Sequence, residues 1–125
     1  MADHDEDETM QALAHVISVV YSLLVDACAM LPVPIGLPMD RNIPVTDAVP
    51  AIERAAALAK DQPMGETQEA QLLVGCVHLL AAIDLYALCA ARFTATRADA
   101  VGLNLAHAEE ALKRLSAWLV INAAD

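Results

Sequence analysis

Three histidines, His15, His78 and His107, fall near the middles of three helical stretches. Imidazoles brought to one level of a helical bundle can hold a transition metal. The residues around them argue against it. Carboxylate-rich di-metal sites place Glu three residues before His, and here those positions are Ala12, Gly75 and Asn104. His15 also shares a polar stripe with Ser18 and Ser22, which sets it outward. The expectation is no metal and no cofactor, with the histidines on the surface or hydrogen-bonded.

Other chemistries are equally poorly served. Cys28, Cys76 and Cys89 are odd in number, lack a CxxC spacing and sit among apolar residues. Free, buried thiols in a reducing compartment are expected, and hence a cytoplasmic protein. A reactive thiol needs an activating base or positive field close by, and the neighbouring residues supply neither. The four glycines, Gly36, Gly65, Gly75 and Gly102, are too scattered for a phosphate loop. The three serines form no GxSxG elbow.

Asp84 stands out. Its neighbours at helical spacing are Val77, Leu80, Ala81, Ala87, Leu88 and Ala91. A carboxylate on an apolar face is costly to bury without partners, so Asp84 is expected to be buried and paired, for structure or for function. If the last two helices turn back near residues 93 to 96, Asp84 comes level with Asn104, Leu105 and His107, and His78 with Glu110. Those five residues, Asp84, His78, Asn104, His107 and Glu110, are the candidate polar cluster.

The elements that would position them follow from periodicity. The chain has 125 residues, 58% hydrophobic and only 3% aromatic, enough for one domain with an Ala, Leu, Val and Ile core. Scarce glycine, abundant alanine and absent strand alternation point to an all-α fold. Leu13, Ile17, Val20, Leu24 and Leu31, with Val16 and Cys28 beside them, mark a first helix of about seven turns that ends before Pro32. Residues 46–61 read as a short helix capped by Thr46 or Asp47, with Pro50 in its first turn and Val49, Ile52, Ala56 and Ala59 inward. Residues 66–92 form the most apolar helix, whose polar strip shrinks to Gln68, Gln71 and His78. Thr96 with Asp99 fits a capping box for the last helix. That helix buries Val101, Leu105, Ala108, Leu112, Leu115 and Leu119. The expected fold is a small bundle of three long helices and one short one, the third helix central, over a single domain of residues 1–125.

Between the first two helices lies "LPVPIGLPMDRNIPV", with four of the six prolines. Prolines exclude regular structure there, while Val33, Ile35, Leu37, Met39 and Ile43 need cover. This connection, residues 32–46, has three readings: core at the end of the bundle, a roof over a ligand pocket, or a contact with another subunit or partner.

Charge narrows the partners. The formal net charge is −10, and five of the 17 acidic residues lie in the first eight positions, leaving 12 against 7 bases. An acidic surface repels phosphate backbones, so no nucleic acid is expected. The acidic residues 1–7 stay solvated and fray unless held. Residues 70–91 are long enough to span a membrane, but Asp84 would sit near mid-bilayer at a cost of about 2.5–3.5 kcal/mol. No membrane span is expected.

These features leave enzyme activity open. They favour a non-catalytic acidic helical protein, of a regulatory, inhibitor or immunity kind, that self-associates, most simply as a dimer. It would bind a cationic or apolar protein or peptide. The alternative is a small helical enzyme or ligand-binding protein that tailors a peptide or small metabolite. Its pocket would be apolar and roofed by residues 32–45, with Asp84 and His107 as its polar groups.

Overall fold

In a computed structural model the chain is all-helical, and the structure describes residues 3–39 and 45–123, with side chains over 4–39 and 47–122. Four helices follow one another: α1 (Asp3–Met30), α2 (Val45–Leu58), α3 (Glu66–Ala91) and α4 (Ala95–Ala123). A single 3-10 turn, Ala59–Asp61, prolongs α2. The most extensive packing joins α3 to α4, followed by α1 to α4; α3 also packs against α1 and α2.

Helix α1 begins inside the acidic run, where carboxylates complement the positive end of the helix dipole. The run is helical from Asp3, and His4 and Glu8 approach to 3.1 Å one turn apart. Both side chains are well exposed, so this pair adds little stability. The opposite end buries Val20, Tyr21, Leu24, Ala27, Cys28 and Leu31. Leu13, Val16 and Ile17, at its open end, are only partly covered. His15, Ser18 and Asp26 face solvent as their stripe requires, and the Ser18 and Ser22 hydroxyls donate to the carbonyls of Ala14 and Ser18.

Helix α2 departs from expectation in two ways. It starts at Val45, so Pro50 lies in the second turn rather than the first. Of its expected inward face, Ile52 and Ala59 are buried while Val49 and Ala56 are only partly covered, and Ala48, Ala51 and Ala55 complete the buried side, which is turned from the expected stripe. Small side chains let this helix approach α3 closely, whereas Val49 and Ala56 sit at the edge of the contact.

The last helix buries every residue of its expected stripe: Val101, Leu105, Ala108, Leu112, Leu115 and Leu119. Its start is two residues earlier than Thr96 implies. The Thr94 hydroxyl accepts from the Arg97 N–H at 3.2 Å, and the Thr94 carbonyl accepts from the Ala98 N–H at 3.1 Å. Thr94 is therefore the cap. Arg97 adds a side-chain bond to the Arg92 carbonyl at 3.2 Å, closing the turn from the other side. The reversal is centred on Phe93, earlier than residues 94 to 95, and every level across α3 and α4 shifts with it.

The Pro-rich connection is described as far as Met39; Ile43 lies outside the described residues. Its apolar side chains divide. Ile35 and Leu37 are buried against the end of α1, while Val33 and Met39 are exposed. Four hydrogen-bonding arrangements hold it. The Cys28 carbonyl, at the end of α1, accepts from the Ile35 N–H at 3.0 Å as well as from the Leu31 N–H at 3.4 Å. The Gln62 amide accepts from the Val33 N–H at 2.9 Å and donates to the Val33 carbonyl at 2.7 Å. Tyr21 donates its hydroxyl to the Pro38 carbonyl at 2.7 Å, and Arg54 donates to the Gly36 carbonyl. A chain that has lost its backbone partners to proline recovers them from side chains.

Helix α3 touches all three other helices, yet only one side of it is covered. Leu72, Gly75, Cys76, Leu79, Ala82, Ile83 and Cys89 are buried. The opposite side faces out.

Candidate functional site: the outer face of α3 and its seam with α4

Because α3 is apolar nearly all round, its outer face is apolar too. Between Ala70 and Ala91 every exposed residue is apolar except Asp84. Leu73, Val77 and Leu88, exposed by 44%, 49% and 54%, recur at the spacing of one helical stripe, with Val74 beside them. Asp84 lies on this stripe. The expectation that it is buried and bonded to the last helix is not met: it is exposed, and no side-chain hydrogen bond or ion pair to it occurs among the described residues. The physical reason is its angular position. It is turned about 100° round α3 from Ile83 and about 140° from Leu79, far enough from the buried side to be exposed, so solvent hydrates the carboxylate and no buried partner is needed.

The polar strip of α3 falls on its flank, against α4. There His78 Nδ1 lies 2.8 Å from Asn104 Oδ1, and the His78 and His107 rings stack with centroids 5.2 Å apart and planes 30° from parallel. Asn104 Nδ2 donates to the Ala100 carbonyl at 2.8 Å, which leaves Oδ1 as the atom facing His78. A carbonyl oxygen can only accept, so His78 carries its proton on Nδ1 and, when neutral, keeps an open lone pair on Nε2. His78 therefore meets Asn104 and His107 instead of Glu110. The earlier turn accounts for this, since it slides α4 along α3.

One turn further along the seam, Thr67, Ala70, Gln71 and Val74 of α3 and His107, Glu110, Ala111 and Arg114 of α4 line an open groove of about 460 Å³. Arg114 and Glu110 form an exposed pair at 2.7 Å, one helical turn apart. Gln71 Oε1 is buried without a hydrogen-bond partner among the described residues. Of the five candidate residues, the structure thus gathers His78, Asn104, His107 and Glu110 along one seam and leaves Asp84 on the neighbouring face. Gln71 and Arg114 join them. Their signal was the narrow polar strip on α3 and the charged side of α4, which must meet wherever two antiparallel helices pack edge to edge.

A second depression, about 300 Å³, lies at the connection and is lined by Val33, Pro34, Ile35, Gly36, Arg54, Leu58, Asp61 and Gln62. It shares no residue with the seam groove. The connection and the pair Asp84 and His107 therefore do not build one pocket among the described residues.

The thiols are withdrawn from reaction. Burial pushes Cys28 and Cys76 up to about 12; the Arg54 charge partly offsets this at Cys28, and Cys28 adds to it at Cys76. All three cysteines are free and buried. Among the described residues no three His, Cys, Asp or Glu side chains group as metal ligands. Helices α1, over His4–Met30, and α3 are each long and apolar enough to cross a membrane.

Compared with protein-family models, with curated proteins and with solved structures, the chain matches none.

Proposed function

We propose that the chain is a soluble, cytoplasmic, non-catalytic helical bundle that self-associates through the outer face of α3 and serves as a protein-binding module. One observation carries the reading: along about four turns of α3, from Leu73 to Leu88, Asp84 is the single charged residue in an otherwise apolar exposed stripe. A soluble monomer gains nothing from such a face, and contiguous apolar patches are where proteins dock. The occupant is a second copy. Its own α3 stripe is the one apolar surface of matching length described here, and a two-fold pairing makes each stripe cover the other.

As far as Met39, we read the Pro-rich connection as part of the core rather than as a lid. Ile35 and Leu37 fill the end of α1, and the bonds from Gln62, Tyr21 and Arg54 hold the backbone in place. The acidic outer surface suits a cationic protein or peptide as the further partner.

Sedimentation velocity at tens of micromolar tests self-association. The wild-type chain should run as a dimer, and Val77→Glu should run at the 13.3 kDa of one chain with its helical circular dichroism intact. A wild-type monomer overturns the proposal. So does a dimer that Val77→Glu leaves unchanged.

A further inference from the structure

We infer that two copies of the chain pair their α3 stripes antiparallel, about a two-fold axis level with the Leu80–Ala81 peptide, so that Asp84 of each copy lies opposite Val77 of the other. The inference rests on the self-association proposed above and fixes how the two copies meet. The spacing of the stripe carries it. Leu73, Val77, Asp84 and Leu88, all exposed, are separated by four, seven and four residues, so the pattern is the same read from either end. Ala70 and Ala91, exposed as well, extend it by equal steps on each side. At 100° per residue, Val77 and Asp84 lie about 20° apart along the middle of the stripe, with Leu73 and Leu88 about 30° to either side. Reversing one helix therefore brings leucine level with leucine and alanine with alanine. It sets Val77 against Asp84, a side chain of similar size.

Charge chooses between the two directions open to a two-fold pair. In a parallel pair each residue faces its own counterpart, so the two Asp84 carboxylates would meet at the middle of the contact. Like charges brought together out of water repel strongly. No cation on this face offsets them, because Asp84 is the only charged residue exposed between Ala70 and Ala91. An antiparallel pair holds the two carboxylates about 10 Å apart along the helix axes, each beside an isopropyl group.

Two sets of full-length variants test the direction, all at exposed positions that leave the core untouched. Leu73→Cys alone and Leu88→Cys alone should stay uncrosslinked under the thiol oxidant diamide, because like positions lie roughly 22 Å apart in the antiparallel pair. An equimolar mixture of the two should form a disulfide-linked dimer on a non-reducing gel. The wild-type chain, whose three thiols are buried, is the control. The second set uses charge. By sedimentation equilibrium, Val77→Lys, whose ammonium would face Asp84 of the other copy, should bind its copy at least about tenfold more tightly than Val77→Glu. With Asp84→Asn added to both, that difference should fall below about threefold. Self-crosslinking of Leu73→Cys or Leu88→Cys, no crosslink in their mixture, a lysine variant no tighter than the glutamate one, or a lysine advantage that survives Asp84→Asn would each overturn the antiparallel pairing while a wild-type dimer still stands. A wild-type monomer would overturn self-association, and the pairing with it.

Discussion

Gln62 is the buried polar side chain on which the connection turns, only 6% exposed. Its amide matches the Val33 backbone as a neighbouring strand would, one acceptor and one donor to the two groups of a single residue. Gln62→Ala should lower stability by about 2 kcal/mol, two net hydrogen bonds, as read from the urea midpoint. Gln62→Glu should cost at least as much, because a carboxylate cannot donate to the Val33 carbonyl and would be almost fully desolvated at this buried position. The thiols make the second residue-scale prediction. Folding holds Cys28 and Cys76 at about 12, against an ordinary value of 9.0. Above about pH 9 the unfolded chain loses thiol protons that the folded chain keeps, so the unfolded state gains and stability falls with rising pH. Tyr21 is raised as well, chiefly by burial, and acts in the same direction above its ordinary 10.0. Urea midpoints at pH 8 and pH 10.5 should show the decline, and a Cys28→Ala/Cys76→Ala variant should show less of it. A midpoint that rises over this interval would contradict the burial of these groups.

At the scale of elements, the α3–α4 contact is the most extensive among the described residues, and it is close at Gly75. A Cβ at Gly75 would lie 2.5 Å from Leu112 Cδ2 and 2.7 Å from its Cγ. Leu112 is fully buried, so it has nowhere to retreat. Alanine at a helix interior would otherwise gain about 1 kcal/mol over glycine. Overpacking of a filled core costs about 1–3 kcal/mol and should win, so Gly75→Ala should destabilise the fold by about 1 kcal/mol. The pair should couple. Leu112→Ala alone should cost about 2–5 kcal/mol, and adding Gly75→Ala to it should cost nothing further or restore some stability. Additive losses in that double-mutant cycle would mean that the helices are farther apart at this level.

For the whole molecule, Asp84 separates folding from association. It is exposed and unpaired among the described residues. Asp84→Leu should therefore change the stability of the single chain by less than about 0.5 kcal/mol. The same substitution completes the apolar stripe from Leu73 to Leu88 and removes a carboxylate that self-association would dehydrate. Association should tighten, read as a lower dissociation constant by sedimentation equilibrium. A weaker dimer would place a cationic partner group opposite Asp84 instead.

How much of this was written in the chain divides along a physical line. Helix identity and the whole inward stripe of α4 follow from periodicity and composition, which act within a few turns of chain. So do the free, buried thiols. Helix α1, however, runs 28 residues from Asp3, about eight turns rather than seven, because the acidic run joins it. The position of a turn to within two residues does not follow. Thr94 and Thr96 both offer caps, and packing decides between them: Thr94 sets the register that fits Gly75 against Leu112 and pins the turn through Arg97 and Arg92. That choice moved His78 from Glu110 to Asn104 and His107. Asp84 was misplaced for a related reason. A helix apolar on all sides carries no local mark of which side its neighbours will cover. Only the joint packing of α1, α2 and α4 against Leu72, Cys76, Leu79 and Ile83 left Asp84, Leu73, Val77 and Leu88 outside.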